Sequence, residues 1–275
     1  MKQEIDISND SFDDILSMLK DRYGYDFKNY SKGSFLRRTH RFAREIGATS
    51  SFDLKHQLLN NELVFKHFLQ EVTVNVTELF RDPVYYKDLK GKVFPILASY
   101  PTIKIWHAGC STGEEIFSMC ILLHEAGLLS RTKIYATDIN PSNLEKAKKG
   151  IMKMNLMKDY TNNYHQSGGA TDFSSYYTAM YDHAIISESL RSNIVFLHHN
   201  LVTDAAFNEF QLISCRNVMI YFNKDLQNIV LQLFYDSLSS LGFLALGLKE
   251  TIQFSTVHEK FSIVSKNNKI YRRID

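Results

Sequence analysis

Apolar residues recur three and four positions apart near the start of the chain, at Phe12, Ile15, Leu16 and Leu19, behind a Ser11 expected to cap the helix. The same spacing runs from Phe52 to Leu59 and from Leu63 to Leu69. No strand-like alternation interrupts residues 1 to about 75, so they read as a small all-α domain. From Pro101 onward, short β-branched runs alternate with helical patterns, as they do where helices cover a parallel sheet. The expected organisation is a helical domain over 1–80, a linker over 81–100 and an α/β domain over 101–275.

Within that second part, "TIKIWHA" (102–108) reads as a buried strand and Glu114–Ala126 as a helix. "KIYATD" (133–138) reads as a second strand ending in an acid. A helix follows it, with Pro141 in its first turn and Gly150 as its stop. "NIVFLHHN" (193–200) and "FQLISC" (210–215) supply further strands, and a helix from about Lys224 to Leu238 leads into "GFLALG" (242–247). Strands near Phe261–Val264 and Ile270–Arg273 flank "KNNK", whose asparagines suit a tight turn. The expected fold is therefore a mostly parallel sheet with an antiparallel C-terminal hairpin. Residues 160–192, rich in Tyr, Ser and Gly, are long for a crossover and read as an inserted subdomain or lid.

Composition narrows the partners. The chain has 275 residues, 44% of them hydrophobic, enough for a substantial core, and a formal net charge of +2, too small for bulk attraction to nucleic acid or membrane. Its 3 cysteines, Cys110, Cys120 and Cys215, form no C-x-x-C pair, so neither a disulfide framework nor a metal site is expected. The first residues, "MKQEIDISNDSFDDIL", are acidic and polar where a signal peptide is basic and then apolar, and no run approaches the ~18 apolar residues of a membrane span. A cytoplasmic monomer is the expectation.

The candidate chemistry lies in "WHAGCSTGEEIF" (106–117), where Gly109, Ser111 and Gly113 spell G-x-S-x-G. One reading is a hydrolase elbow with Ser111 as nucleophile. Another is a cofactor loop: a glycine turn after the first strand, a helix N-terminus beyond it, and an acid, Asp138, ending the second strand where a ribose would be held. The three-glycine dinucleotide fingerprint is absent, and Glu114 and Glu115 would repel a pyrophosphate at that helix end. A ribose-bearing, phosphate-free cation such as S-adenosylmethionine (SAM) fits the pattern better, with a dinucleotide and a hydrolase site as the other readings.

Several stretches resemble the CheR-type chemoreceptor methyltransferases. "TVNVTELFRD" (73–82) is similar to that family's T-x-N-x-T-x-F-F-R signature, "AGCSTGEE" to its glycine loop and "ISCRNVMIYF" (213–222) to its most distinctive segment, while "YGYDF" and "SFLRRTHRF" resemble its helical domain. The resemblance implies a small all-α N-terminal domain followed by a Rossmann-like SAM-dependent methyltransferase domain with an inserted subdomain. It further implies esterification of glutamate side chains on chemoreceptors, with S-adenosylhomocysteine as the second product. Carried over position by position, it makes Asn75, Thr77, Arg81, Glu115, Asp138, Asn200, Leu201, Arg216 and Asn217 cofactor contacts, and places Arg81 and Tyr221 at the methyl-transfer site. In place of the family's G-H-S-E, this chain has Gly247, Leu248, Lys249 and Glu250. That departure keeps open a catalytically idle SAM-binding module in a signalling complex.

Between Phe27 and Arg44 there is no Asp or Glu. On a helix from Ser34, Phe35, Thr39, Phe42 and Ile46 share one face and Arg37, Arg41 and Arg44 the opposite one. By pattern this is equally a solvated face or a basic docking stripe; the resemblance implies the latter, with the acid-rich cytoplasmic helices of a receptor as partner.

Overall fold

The computed structural model describes residues 7–73 and 75–275. The chain divides into two compact units, Met1–Val74 with Tyr221–Ile229, and Asn75–Ile220 with Val230–Asp275.

The first unit is built from α1 (Asn9–Tyr23), α2 (Lys32–Glu45), α3 (Ser51–Asn60) and α4 (Glu62–Val72). The side chain that caps α1 is Ser8 and not Ser11, because the Ser11 amide is itself the donor, 3.2 Å from Ser8 Oγ. Gly24 ends the helix in the left-handed region at φ +77°, its amide bonded to the Lys20 carbonyl. Ser50 caps α3 through the Asp53 amide, and Asn61 caps α4 through those of Leu63 and Val64. The interior is aromatic: Phe12, Phe27, Phe35, Phe42 and Phe68 are buried and meet edge-on or tilted. Residues 221–229 join this unit through the Ser31 amide, 2.7 Å from the Tyr221 carbonyl, and through Phe222 packed on Tyr30.

In the second unit, α5 (Pro83–Asp88), a π-helical turn (Leu89–Val93) and α6 (Phe94–Leu97) occupy the stretch expected to be a linker. Tyr85, Leu89, Val93, Phe94 and Leu97 are buried in the core of the α/β unit, so the segment belongs to that unit. The chain then runs β1 (Ile103–Ala108), α7 (Glu114–Glu125), β2 (Thr132–Asp138), α8 (Pro141–Lys149), β3 (Ile151–Lys153) and α9 (Met157–Gln166). It continues through β4 (Tyr177–Met180), β5 (His183–Ile186), α10 (Glu188–Arg191), β6 (Ile194–His198), β7 (Phe210–Cys215), α11 (Lys224–Ser237), β8 (Leu238–Leu246), β9 (Phe261–Ser265) and β10 (Ile270–Arg273). The main sheet has the order β6-β2-β1-β7-β8-β10-β9, parallel through β8 and antiparallel where β10 pairs with β8 and β9. This is the expected Rossmann-like, mostly parallel sheet with an antiparallel C-terminal hairpin. Strand β10 lies inside the order, between β8 and the edge strand β9.

Strand β1 is buried nearly throughout, with Trp106 donating its indole N–H to Thr137 Oγ1 at 2.8 Å. The insertion begins earlier than residue 160: β3 joins β4 and β5 in a separate antiparallel sheet of order β3-β5-β4. Its tyrosines act as anchors. The hydroxyls of Tyr164 and Tyr176 both donate to Glu125 at the end of α7. Among the described residues no helix is long and apolar enough to cross a membrane.

Candidate functional site

The loops leaving the C-terminal ends of β1, β2 and β7 meet at the crevice of the parallel sheet, where open α/β folds bind ligands. The loop after β1 is shaped by Gly109 (φ +75°), Ser111 (φ +50°) and Gly113 (φ +99°). The amides of Gly109 and Cys110 both bond to the Thr137 carbonyl at 2.8 Å, and that of Ser111 bonds to Asp138 Oδ2 at 2.8 Å. The other oxygen of Asp138 accepts from the Asn140 amide and from Asn143 Nδ2. Burial is the main influence on Asp138 and raises its pKa despite these bonds. Asn143 also donates to Asn75 Oδ1 at 2.7 Å, tying the start of the signature segment to the second-strand acid.

Glu115 takes three protein donors: Ser214 Oγ at 2.6 Å, Arg216 at 3.0 Å and His107 Nδ1 at 3.1 Å. Burial alone would raise its pKa, but the Arg216 guanidinium, together with His107 and Ser214, outweighs that and holds the carboxyl down at about 2. Arg216 is enclosed by Glu115, by Asp82 at 2.6 Å and by the face of Tyr85, whose centroid lies 3.9 Å from the guanidinium carbon. The resemblance counts Arg216 as a cofactor contact; the structure spends its guanidinium inside the protein, between the loop acid and Asp82. Sequence reasoning missed His107, Ser214, Asp82 and Asn143. His107 alone carried a signal, as a histidine inside an apolar strand.

The same clamp displays Arg81. Its neighbours Phe80 (φ +55°) and Asp82 (φ +58°) are both in the left-handed region, a conformation costing roughly 1–3 kcal/mol for such residues. Phe80 is held by its buried ring and by its amide, 2.8 Å from Ser118 Oγ, and Asp82 by Arg216. Between them, the Arg81 guanidinium meets only the Val76 carbonyl at 3.2 Å and, among the described residues, no carboxylate.

The remaining expected residues are distributed as follows. Thr77 is half-buried in the signature segment, and Leu201 is buried. Asn200 is buried and turns its side-chain oxygen onto the Val202 amide. Asn217 sits at φ +61° with its amide on Glu250. Tyr221 belongs to the helical unit, where its ring lies 5.3 Å from the Arg38 guanidinium. Arg37, Arg41 and Arg44 are exposed on α2, opposite the buried Phe35, Thr39 and Phe42, and Arg41 is paired with Glu71. Glu71 also converges with Glu45 and His67, their ligand-type atoms lying within 4.8 Å of one another, but these side chains already pair with Arg41 and with each other.

Ser111 Oγ is buried without a hydrogen-bond partner. A nucleophile needs an adjacent base, and the histidine closest in sequence, His107, is turned to Glu115. The residues present fit SAM better. Asp138 Oδ2 takes a single protein hydrogen bond and keeps a lone pair for a ribose hydroxyl, and Ser111 Oγ offers a further polar contact. Glu115 retains 18% side-chain exposure beside the loop, while Arg81 supplies a cation that pairs with no acid among the described residues.

Comparison with known proteins agrees with this reading. Residues 75–270 match the description "CheR methyltransferase, SAM binding domain", and residues 10–73 match "CheR methyltransferase, all-alpha domain". A "Putative methyltransferase Cher3" of Pseudomonas putida is 48% identical over 252 residues, 92% of each chain. A "Chemotaxis protein methyltransferase" of Listeria innocua is 29% identical over 86% of this chain and 87% of its own. One of the same name from Salmonella typhimurium is 28% identical over 96% of this chain and 90% of its own.

Proposed function

This chain belongs to the CheR methyltransferase family, a SAM-dependent methyltransferase of the chemotaxis type, and from that premise we propose that it esterifies glutamate side chains on the cytoplasmic helices of chemoreceptors or related signalling proteins. The observation that carries the reading is Arg81: a guanidinium with no carboxylate partner among the described residues, held between two strained residues, on a segment tied to the cofactor loops through Asn75 and Asp82.

Bound SAM supplies a methyl group on a sulfonium leaving group. Asp138 and the glycine loop would hold its ribose, and Glu115 would supply negative charge to its ammonium group. Arg81 orients a carboxylate by charged hydrogen bonds. A glutamate acceptor is already ionised at neutral pH, so the protein needs no general base. Its contribution is alignment, worth ~7–11 kcal/mol in favourable cases. Tyr221 is assigned to the transfer step by the family resemblance.

The substrate side is assigned to α2. Arg37 and Arg44 form no ion pair among the described residues, and the surface pair of Arg41 with Glu71 is of the kind that contributes roughly 0–1 kcal/mol and exchanges readily for a substrate acid.

Arg81→Ala tests the assignment. With tritiated SAM at saturation and a receptor cytoplasmic fragment as acceptor, the transfer rate is expected to fall on the order of 100-fold, as for loss of a charged positioning contact worth ~3 kcal/mol. An unchanged rate removes Arg81 from this role.

A further inference from the structure

Glu250 is a buried carboxylate, 5% exposed, in the turn after β8. No cation pairs with it among the described residues; its partners are backbone amides. Oε2 accepts from Gly247 at 2.5 Å and from Asn217 at 3.0 Å, and Oε1 accepts from Val218 at 2.9 Å and from Ile220 at 3.3 Å. Three of these four donors belong to one short stretch, the loop that leaves β7. That loop carries Asn217 in the left-handed region at φ +61° and then enters a short 3-10 turn, Met219–Tyr221. A carboxylate collecting several amides this way sets the loop's conformation, much as an anion orders a nest of N–H groups. Gly247 makes room for the arrangement: a Cβ at this position would lie 2.7 Å from Glu250 Oε2 and 2.8 Å from the Asn217 nitrogen.

The pinned loop in turn touches the cofactor loop at two places. Val218 covers the α-carbon of Gly109 so closely that a Cβ there would lie 2.5 Å from Val218 Cγ2. Arg216, one residue before Asn217, holds Glu115 and Asp82. Glu250 therefore lies behind both the glycine loop and the segment that displays Arg81, without being among the residues assigned to the cofactor.

We propose that Glu250 is a positioning residue for the SAM site: its carboxylate fixes the 216–220 loop, which sets the glycine loop through Val218 and the Glu115 carboxylate through Arg216. The proposal rests on the cofactor site described above. Substituting Glu250 by Gln keeps the size of the side chain but turns an NH2 group toward amide donors, so the loop loses acceptors without gaining a cavity.

The test compares the full chain with Glu250→Gln and with Leu97→Ala, a cavity variant in α6 that takes no part in these loops. Binding of S-adenosylhomocysteine is read by calorimetry, folding by circular dichroism and melting temperature, and local order by hydrogen exchange. Glu250→Gln is expected to stay folded, to bind at least tenfold more weakly, and to exchange faster over 109–115 and 216–221. Leu97→Ala, even with an equal or larger drop in melting temperature, is expected to bind within twofold of wild type. Wild-type binding by Glu250→Gln, or an equal weakening in both variants, overturns the proposal. Should Glu250→Gln not fold, the ligand-free wild-type protein decides: protected amides at Asn217, Val218 and Gly247 support the pinning, and freely exchanging ones overturn it. Failure of the wild-type protein to bind S-adenosylhomocysteine counts against the cofactor site instead, and the same amides still decide the role of Glu250.

Discussion

At the scale of single residues, the sequence singled out Glu115 and Asp138 but not what surrounds them. Glu115 stood out as an acid beside glycines; its partners His107, Ser214 and Arg216 are 8, 99 and 101 positions away, and only the fold brings them together. The same holds for Asn143, which looks like an ordinary polar position in the first turn of a helix and proves to join Asn75 to Asp138. Arg216 was legible as part of a distinctive segment, whereas its commitment to Glu115 and Asp82 was not. One consequence concerns pH. The pKa of Glu115 is held at about 2, below its ordinary value, so the stability it contributes is present above the unfolded pKa of ~4.3 and is lost as pH falls toward 2. Glu115→Gln is therefore expected to cost about 3 kcal/mol at pH 7, and that gap is expected to shrink by roughly half at pH 3, measured as the difference in urea unfolding free energies. A gap that stays constant from pH 7 to pH 3 would show that the Glu115 charge contributes nothing to it.

At the scale of elements, β1, β2 and β7 were readable because a parallel strand buried on both faces is an apolar run. The helices α1 to α4 were readable from their apolar faces. The stretch from Pro83 to Leu97 was not, since Pro83, Gly91 and Pro95 punctuate it like a linker; Pro83 in fact opens a helix, and α6, which carries Pro95, follows directly on the π-helical turn Leu89–Val93 within one run of helical backbone. Strand β3 escaped notice because three residues are too few to show an alternation. The contact between two loops, Val218 on Gly109, was likewise invisible until both were folded. Gly109→Ala is expected to destabilise the protein by about 1–3 kcal/mol through overpacking, in addition to the strain of a positive φ. Combining it with Val218→Ala should restore part of the loss in melting temperature, because only the steric share is relieved. A double variant no more stable than Gly109→Ala would place the strain elsewhere.

At the scale of the whole molecule, each unit carries one part of the proposed work. The α/β unit holds the loops proposed to cradle the cofactor, and the helical unit exposes Arg37, Arg41 and Arg44 on α2. The basic stripe was visible as a face free of acids; whether it serves docking is a question about a partner that one chain's sequence does not contain. Reversing the three charges to Glu is expected to raise KM for the receptor fragment at least tenfold, while the KM for SAM moves less than twofold, since association with an acidic surface is what the stripe supports. Equal changes in the two constants would point to a general loss of structure.

Methyl transfer from SAM to a glutamate carboxylate leaves a base-labile ester, and that lability tests the proposed reaction. Wild-type protein, tritiated SAM and a receptor cytoplasmic fragment are incubated, and the labelled fragment is treated with mild base. The expected result is label on the fragment that leaves as volatile methanol. Binding of SAM with no label on any receptor fragment, or label that resists base, would contradict it.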